Sequence, residues 1–288
     1  MQIFPPSELV LTSKNEVYHL GIKPENLAEK VIIVGDQDRV GLVSEFFDSL
    51  EFQTQHREFV CHTGSFQGKR ITALSTGIGT DNIDIVINEL DALVNIDLEN
   101  RIEKPQKQSL EIVRIGTCGI LQPDIPVHSY ILSKYAIGFD NVAHFYEILF
   151  SDDEKEFNSR INNHLLLPNV IQTYFASADK NLFDRMNSEV TKCGITITSS
   201  GFYGPQGRSL RIPTHMRDIH LKLGSFEFQN ERILNFEMES SALFALGKQL
   251  GHQCATICLG VANRPNLEFS KGYEDAMKGL IKYVLDRI

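Results

Sequence analysis

An α/β fold, with a mixed and largely parallel central β-sheet flanked by helices, is predicted by two features of this 288-residue chain. Short apolar runs rich in β-branched residues alternate with amphipathic stretches of helical period, the pattern of strands handing over to helices. An apolar content of 42% over this length is also enough for one substantial core. With no repeat and no low-complexity tract, residues 1–288 read as a single domain.

The first strand is Val31-Ile32-Ile33-Val34, a fully apolar run that ends at Gly35 and leads into a helix over about residues 38–50. Further strands are expected at 58–65, 70–75, 111–116, 129–133, 194–199, 234–236 and 254–262. Helices are expected at 80–94, 153–164, 180–192, 239–250 and 271–287. This alternation predicts a sheet covered by helices on both faces. Residues 104–108 form a polar connection, and 138–169 read as a long excursion with one helix rather than a domain boundary.

A net charge of -9 and a pI near 5.5 argue against a nucleic-acid or anionic-membrane surface, which would need clustered Lys and Arg. Any phosphate must therefore bind in a local pocket. No apolar run approaches the ~20 residues of a membrane span. The start, Met1-Gln2-Ile3-Phe4-Pro5-Pro6, has neither the basic nor the long apolar region of a signal peptide, so a cytoplasmic protein is expected. Cys61, Cys118, Cys193, Cys254 and Cys258 are scattered and read as buried thiols rather than metal ligands or disulfides. The nine histidines include no His-Glu-x-x-His pattern, and no catalytic zinc is expected.

Ligands of open α/β sheets collect at the carboxyl ends of strands, so residues just after each strand come first. Gly35 and Arg39 sit at a strand end and in the next helical turn, where the backbone can approach an anion and the guanidinium can meet its charge. Arg114 lies on a strand otherwise built of Ile112, Val113 and Ile115, and a buried guanidinium needs an anion, either a ligand or a structural carboxylate. Thr117 adds a hydroxyl beside it. The turn from Ser75 to Asp81 offers amides for an anion nest, and helix capping by Thr80 explains it equally well. Glu237 and Glu239 bracket Met238 where a strand becomes a helix, an arrangement suited to vicinal hydroxyls and a sugar ring or, more simply, to a helix cap. In Phe202-Tyr203-Gly204-Pro205-Gln206-Gly207-Arg208, an amide and a guanidinium stand two positions apart behind an aromatic pair, equipment for a flat hydrogen-bonding ring.

Taken together and in order, these motifs resemble the nucleoside phosphorylase-I superfamily, and within it most closely the uridine phosphorylases. The resemblance runs from about Glu16 to Arg264 and includes Val17-Tyr18-His19-Leu20-Gly21 and His56-Arg57-Glu58-Phe59 besides the segments above. It implies a phosphorylase/hydrolase-like fold with a partly barrel-like sheet. Gly35, Arg39, Arg114 and Thr117 would bind phosphate, completed by Arg57 of a neighbouring subunit. His19, also from the neighbour, would meet the ribose 5′-hydroxyl with Tyr18 beside it. Glu237, Met238 and Glu239 would hold the ribose, Glu239 taking its 2′- and 3′-hydroxyls. Gln206 and Arg208 would bind the uracil edge with Phe202 against its face. The reaction implied is reversible phosphorolysis of uridine, with Arg208, Gln206, Glu239 and Arg114 as the catalytic set.

The implied partners are a nucleoside and inorganic phosphate as co-substrate, in a homo-oligomer built from dimers. No metal or organic cofactor is implied. Some bacterial members carry a monovalent cation at the dimer interface; Glu58 and Ile78 match that pattern, and Asn82 stands where serine is expected. Purine-cleaving relatives have a Ser-Asp pair after the last core strand, where this chain has Ala262-Asn263-Arg264. The missing carboxylate favours a pyrimidine. The rival readings are a purine nucleoside phosphorylase with an altered base pocket and a catalytically silent nucleoside-binding homologue. Residues 138–169 and 211–232 are unfamiliar and would border the site.

Overall fold

Val31 to Val34 are all fully buried, and the strand they form, β1 (Lys30–Val34), is parallel to both of its neighbours. A strand covered on both faces has no polar alternation, which is why this one was plain in the sequence. The computed structural model describes residues 3–168 and 170–288; Met1, Gln2 and Asn169, the last residue of the predicted excursion, lie outside the described residues.

The chain continues through α1 (Gln37–Ser44), β2 (Ser49–His56), β3 (Phe59–Phe66), β4 (Lys69–Ser75), α2 (Thr80–Asn95), the short pair β5 (Ile96–Asp97) and β6 (Ile102–Glu103), β7 (Glu111–Ile120) and β8 (Tyr130–Phe139). Then come α3 (Asp152–Leu165), β9 (Tyr174–Ser177), α4 (Lys180–Met186), β10 (Thr191–Ser199), α5 (Ile219–Gly224), β11 (Glu227–Phe228), β12 (Glu231–Glu237), α6 (Ser240–Leu250), β13 (Gln253–Asn263), β14 (Glu268–Phe269) and α7 (Glu274–Leu285).

The main sheet runs β11-β12-β10-β8-β13-β7-β1-β4-β3-β2, and a further pairing of β12 with β7 closes five of these strands into a ring. That closing contact is short and antiparallel, Asn235 opposite Ile120 and Phe236 opposite Gly119. The sheet is therefore barrel-like at one end and open at the other, where β1, β4, β3 and β2 extend from β7. One apolar cluster joins β1 to α2 and α6 through Leu90, Leu93, Leu243 and Phe244. A second joins the opposite face to α1, α4 and α7 through Val40, Val43, Leu182, Leu280 and Ile281. A third packs α3 and α5 on the ring through Phe157, Ile161, Phe175, Ile219 and Leu223.

Two predicted helices end early. α1 stops at Ser44 rather than near residue 50, because Ser49 onward pairs antiparallel with β3 as an edge strand with Phe52, Thr54 and His56 on its half-buried side. α4 stops at Met186 rather than residue 192, because Thr191, Lys192 and Cys193 pair with β8. The short strand β9, absent from the sequence reading, lies along β8 with Tyr174, Phe175 and Ala176 buried. All five cysteines are free thiols, but Cys193 is exposed, against the expectation of burial. None of the helices is long and apolar enough to cross a membrane among the described residues.

Candidate active site

One edge of β7 changes partner along its length, and this is where the molecule opens. β1 pairs with it as far as Val34 opposite Ile115, and β12 takes over at Gly119. Between them, Gly116, Thr117 and Cys118 have neither strand beside them. The chain leaving β1 turns one way into α1 while β12 arrives from the other side and turns into α6, so two strand ends and two helix starts surround the gap. A cavity of about 1010 Å³ lies there. Such a switch point is where an open α/β sheet holds its ligand.

Arg114 forms the floor. Its guanidinium is buried, with Nη1 3.2 Å from Glu237 and Nη2 paired to Glu239. Burial works against its charge, but Glu239 and Glu237 more than offset this and hold its pKa above the ordinary arginine value. Gly116 makes room for it: a Cβ at that position would lie 2.3 Å from Arg114 Nη1 and 2.9 Å from Cys258 Sγ. Burial pushes the Glu239 carboxyl up, Arg114 opposing and Glu237 adding to the shift. Glu239 also accepts the amide of Gly79 at 2.8 Å and that of Met238 at 3.2 Å.

The two carboxylates have different duties. Glu237 accepts the amides of Glu239 (3.0 Å) and Ser240 (3.0 and 3.1 Å) and the Thr198 hydroxyl (2.5 Å), so it caps the start of α6 while balancing Arg114. Glu239 faces the cavity with half-buried Met238. At the start of α2, Gly79 is the cap residue and no side chain caps it, so Thr80 does not have the capping role offered from sequence.

At the same end of the cavity, Gly35 and Arg39 line the wall left by β1, and Thr117 faces them from β7. Arg39 Nη1 donates to the Ile115 carbonyl at 3.3 Å. Burial lowers its pKa, Asp36 opposes this, and the charge of Arg114 lowers it further. Two guanidiniums thus converge on one end, and only Arg114 has carboxylate partners there.

The far end is built by the predicted ring-binding segment. Gln206 is buried, its side-chain Oε1 accepts from Arg208 Nη1, and Arg208 Nη1 also donates to the Phe202 backbone carbonyl at 2.7 Å. The Gln206 amide nitrogen is left to present a donor. Phe202 lies against Arg208, with ring centroid and guanidinium carbon 3.8 Å apart. Burial lowers the pKa of Arg208 to about 10, and repulsion from Arg264 adds to that shift. An anion placed between these two cations would relieve the repulsion. Gly207 shapes the segment: its φ is +71°, and a Cβ there would lie 2.7 Å from Ile219 on α5.

Residues 211–232 therefore buttress this segment from behind and do not line the cavity; neither do residues 138–168. Parts of both line a separate apolar cavity of about 1200 Å³, which shares Arg208 with the first. In the sequence, the stretch holding Arg264 stands out only for the acid that it lacks. Arg264 lines the cavity, donating from Nη1 to the Gln206 carbonyl at 3.0 Å. Its place directly after β13 was the available signal. Asn263 is wholly engaged: its amide donates to the carbonyls of Gln122 (3.0 Å) and Ile125 (2.8 Å), and its oxygen accepts the Asn266 amide (2.9 Å).

Gly35, Arg39, Arg114, Thr117, Phe202, Gln206, Arg208, Glu237, Met238 and Glu239 thus share one cavity. His19 and Arg57 do not line it; Arg57 lies beside it, its carbonyl accepting from the lining residue Gln37 at 2.9 Å, and near Tyr18, whose hydroxyl is 3.4 Å from Arg57 Nη2. Among the described residues, no group of three or more His, Cys, Asp or Glu is placed to hold a metal ion. Asn82 turns its amide nitrogen to Glu58 Oε1 at 3.5 Å.

The family model described as the phosphorylase superfamily matches residues 29–285. A uridine phosphorylase of Thermococcus kodakarensis is 27% identical over 94% of this chain and 86% of its own length. A DeoD-type purine nucleoside phosphorylase of Brevibacillus brevis is 28% identical over 83% of each chain. Among solved structures, a Trypanosoma brucei nucleoside phosphorylase described as showing uridine phosphorylase activity superposes with a TM-score of 0.87 at 30% identity, covering 97% of this chain and 98% of that one.

Proposed function

We propose, from the premise that this chain belongs to the phosphorylase superfamily, that it is a nucleoside phosphorylase acting on uridine, releasing uracil and ribose 1-phosphate. The observation that carries the reading is that one cavity is lined by two pairs of neighbouring arginines, Arg39 with Arg114 and Arg208 with Arg264, together with Met238 and Glu239. The names of the relatives in Thermococcus kodakarensis and Trypanosoma brucei support the same base.

Phosphate enters between Arg39 and Arg114, with Gly35 giving backbone access and Thr117 a hydroxyl. There it competes with Glu239 for Arg114 and frees that carboxylate to take the ribose hydroxyls. Phosphate then attacks C1′ as the bond to the base lengthens. Positive charge grows on the sugar, beside bound phosphate, and negative charge on the departing base, beside Gln206 and Arg208. Donors already aimed at that charge stabilise it without reorganisation. Holding nucleophile and sugar in one cavity supplies the orientation.

Uracil is favoured over a purine because Asn263 has no acid to offer N7 and its amide is occupied by the loop around Gln122 and Ile125. The working assembly is a dimer or a multiple of dimers, with His19 and Arg57 reaching into the neighbour's cavity. This reaction requires no metal or organic cofactor.

Incubating the protein with uridine or inosine, with and without phosphate, and measuring free base tests this. Uracil should appear only with phosphate. Inosine cleavage without uridine cleavage would make it a purine enzyme, phosphate-independent cleavage a nucleosidase, and binding without turnover a silent homologue.

A further inference from the structure

We propose that Glu89, on α2, is a positioning residue that presets His19 for the neighbouring subunit's substrate, making Nδ1 the donor and leaving Nε2 as the ring's free hydrogen-bond acceptor. This rests on the shared-site reading above. The Glu89 side chain is 15% exposed, and its two oxygens are spent on one turn 70 residues earlier in the chain. They accept the His19 amide (2.9 and 3.1 Å), the Leu20 amide (2.8 Å) and His19 Nδ1 (2.7 Å).

An ionised carboxylate only accepts, so Nδ1 carries the hydrogen, and in the neutral ring the other nitrogen then has the lone pair. A 5′-hydroxyl can donate to that lone pair. The backbone is fixed as well: His56 Nδ1 donates to the His19 carbonyl at 2.8 Å. The next residue, Arg57, lies with its guanidinium carbon 5.3 Å from the Tyr18 ring centroid, and its carbonyl accepts from Gln37 Nε2 at 2.9 Å. His19 and Arg57 are thereby carried on one braced unit, with Glu89 setting the imidazole tautomer.

Glu89→Gln separates this from mere support of the turn. Glutamine has one acceptor oxygen; using it for the two backbone amides turns its NH₂ toward Nδ1, which must then accept and pass the hydrogen to Nε2. Histidine ¹⁵N NMR, recorded at a pH where the spectrum shows the ring neutral, should show the Nδ1–H tautomer of His19 in the native protein and the Nε2–H tautomer in the variant. A hydroxyl can also accept, so the pairing is exchanged rather than abolished: with uridine, kcat/KM should fall about threefold, less than the ~tenfold worth of a lost hydrogen bond, while 5′-deoxyuridine is cleaved as before. In a His19→Ala background the substitution should cost nothing further. Glu89→Asp, still acceptor-only, should keep the Nδ1–H tautomer.

A native protein with His19 in the Nε2–H tautomer would overturn the proposal. So would a Glu89→Gln variant that loses uridine and 5′-deoxyuridine cleavage in equal proportion. A native protein that cleaves no uridine would instead contradict the proposed function, and the tautomer would still decide the part of Glu89.

Discussion

Replacing Arg208 with alanine should lower kcat for uridine phosphorolysis by about 100-fold or more, because a donor preorganised toward the charge of a leaving group typically contributes ~3 kcal/mol to its transition state. In this cavity the effect has a second source. Arg208 holds Oε1 of Gln206, so its loss also frees the side-chain amide proposed to meet the base edge. Phosphate affinity should change little, since Arg39 and Arg114 do not touch that segment. Single-turnover rates at saturating phosphate measure this directly, and an unchanged kcat would remove Arg208 from the chemistry. Phe202 would also lose the guanidinium it lies against, so a rise in KM is expected alongside the fall in kcat.

Arg114→Met should be more damaging, and in two separable ways. Removing one member of a buried charge cluster strands the others, at a typical cost of about 3–5 kcal/mol. Here Glu237 keeps its amide and hydroxyl partners, whereas Glu239 keeps only two amides. The variant should therefore melt well below the native protein. The Glu239 carboxyl, already held above its ordinary value of 4.5 by burial, should rise further without Arg114. An acid with a raised folded-state pKa binds more protons folded than unfolded. Stability of the variant should then fall as pH rises from about 4.5 toward that raised value, more steeply than in the native protein.

The second loss is phosphate binding, with kcat/KM for phosphate falling about 100-fold or more. Arg39→Met provides the contrast. It removes the other guanidinium without stranding a carboxylate, so it should lose phosphate affinity while its melting temperature stays close to native. Thermal melts across pH, paired with phosphate titrations, check both halves. Equal destabilisation of the two variants would contradict the assignment of Glu237 and Glu239 to Arg114.

What could be read from sequence follows the range of the forces involved. Val31 to Val34 needed no partner to identify them, since a run buried on both faces is apolar at every position. Arg114 stood out for the opposite reason, as a charge in such a run. The gap beside Gly116 to Cys118 was not legible, because it exists only through the registers that end β1 at Ile115 and bring β12 in at Gly119. Nor does sequence decide between a ligand and a carboxylate as the partner of Arg114, which the fold pairs with Glu237 and Glu239. β2 was missed because its polar residues alternate too weakly to outweigh the helical pattern before it. Arg264 and the buttress of residues 211–232 act through long-range packing on Gln206 and Gly207, which no local spacing reveals.

A structure of the protein with uracil and ribose 1-phosphate tests the central claim most directly. The claim predicts the uracil edge on Gln206 and Arg208, the ribose on Met238 and Glu239, and the phosphate between Arg39 and Arg114 with Arg57 of the partner subunit closing it. A base seated away from Gln206 and Arg208, or a phosphate outside the two arginines, would contradict it.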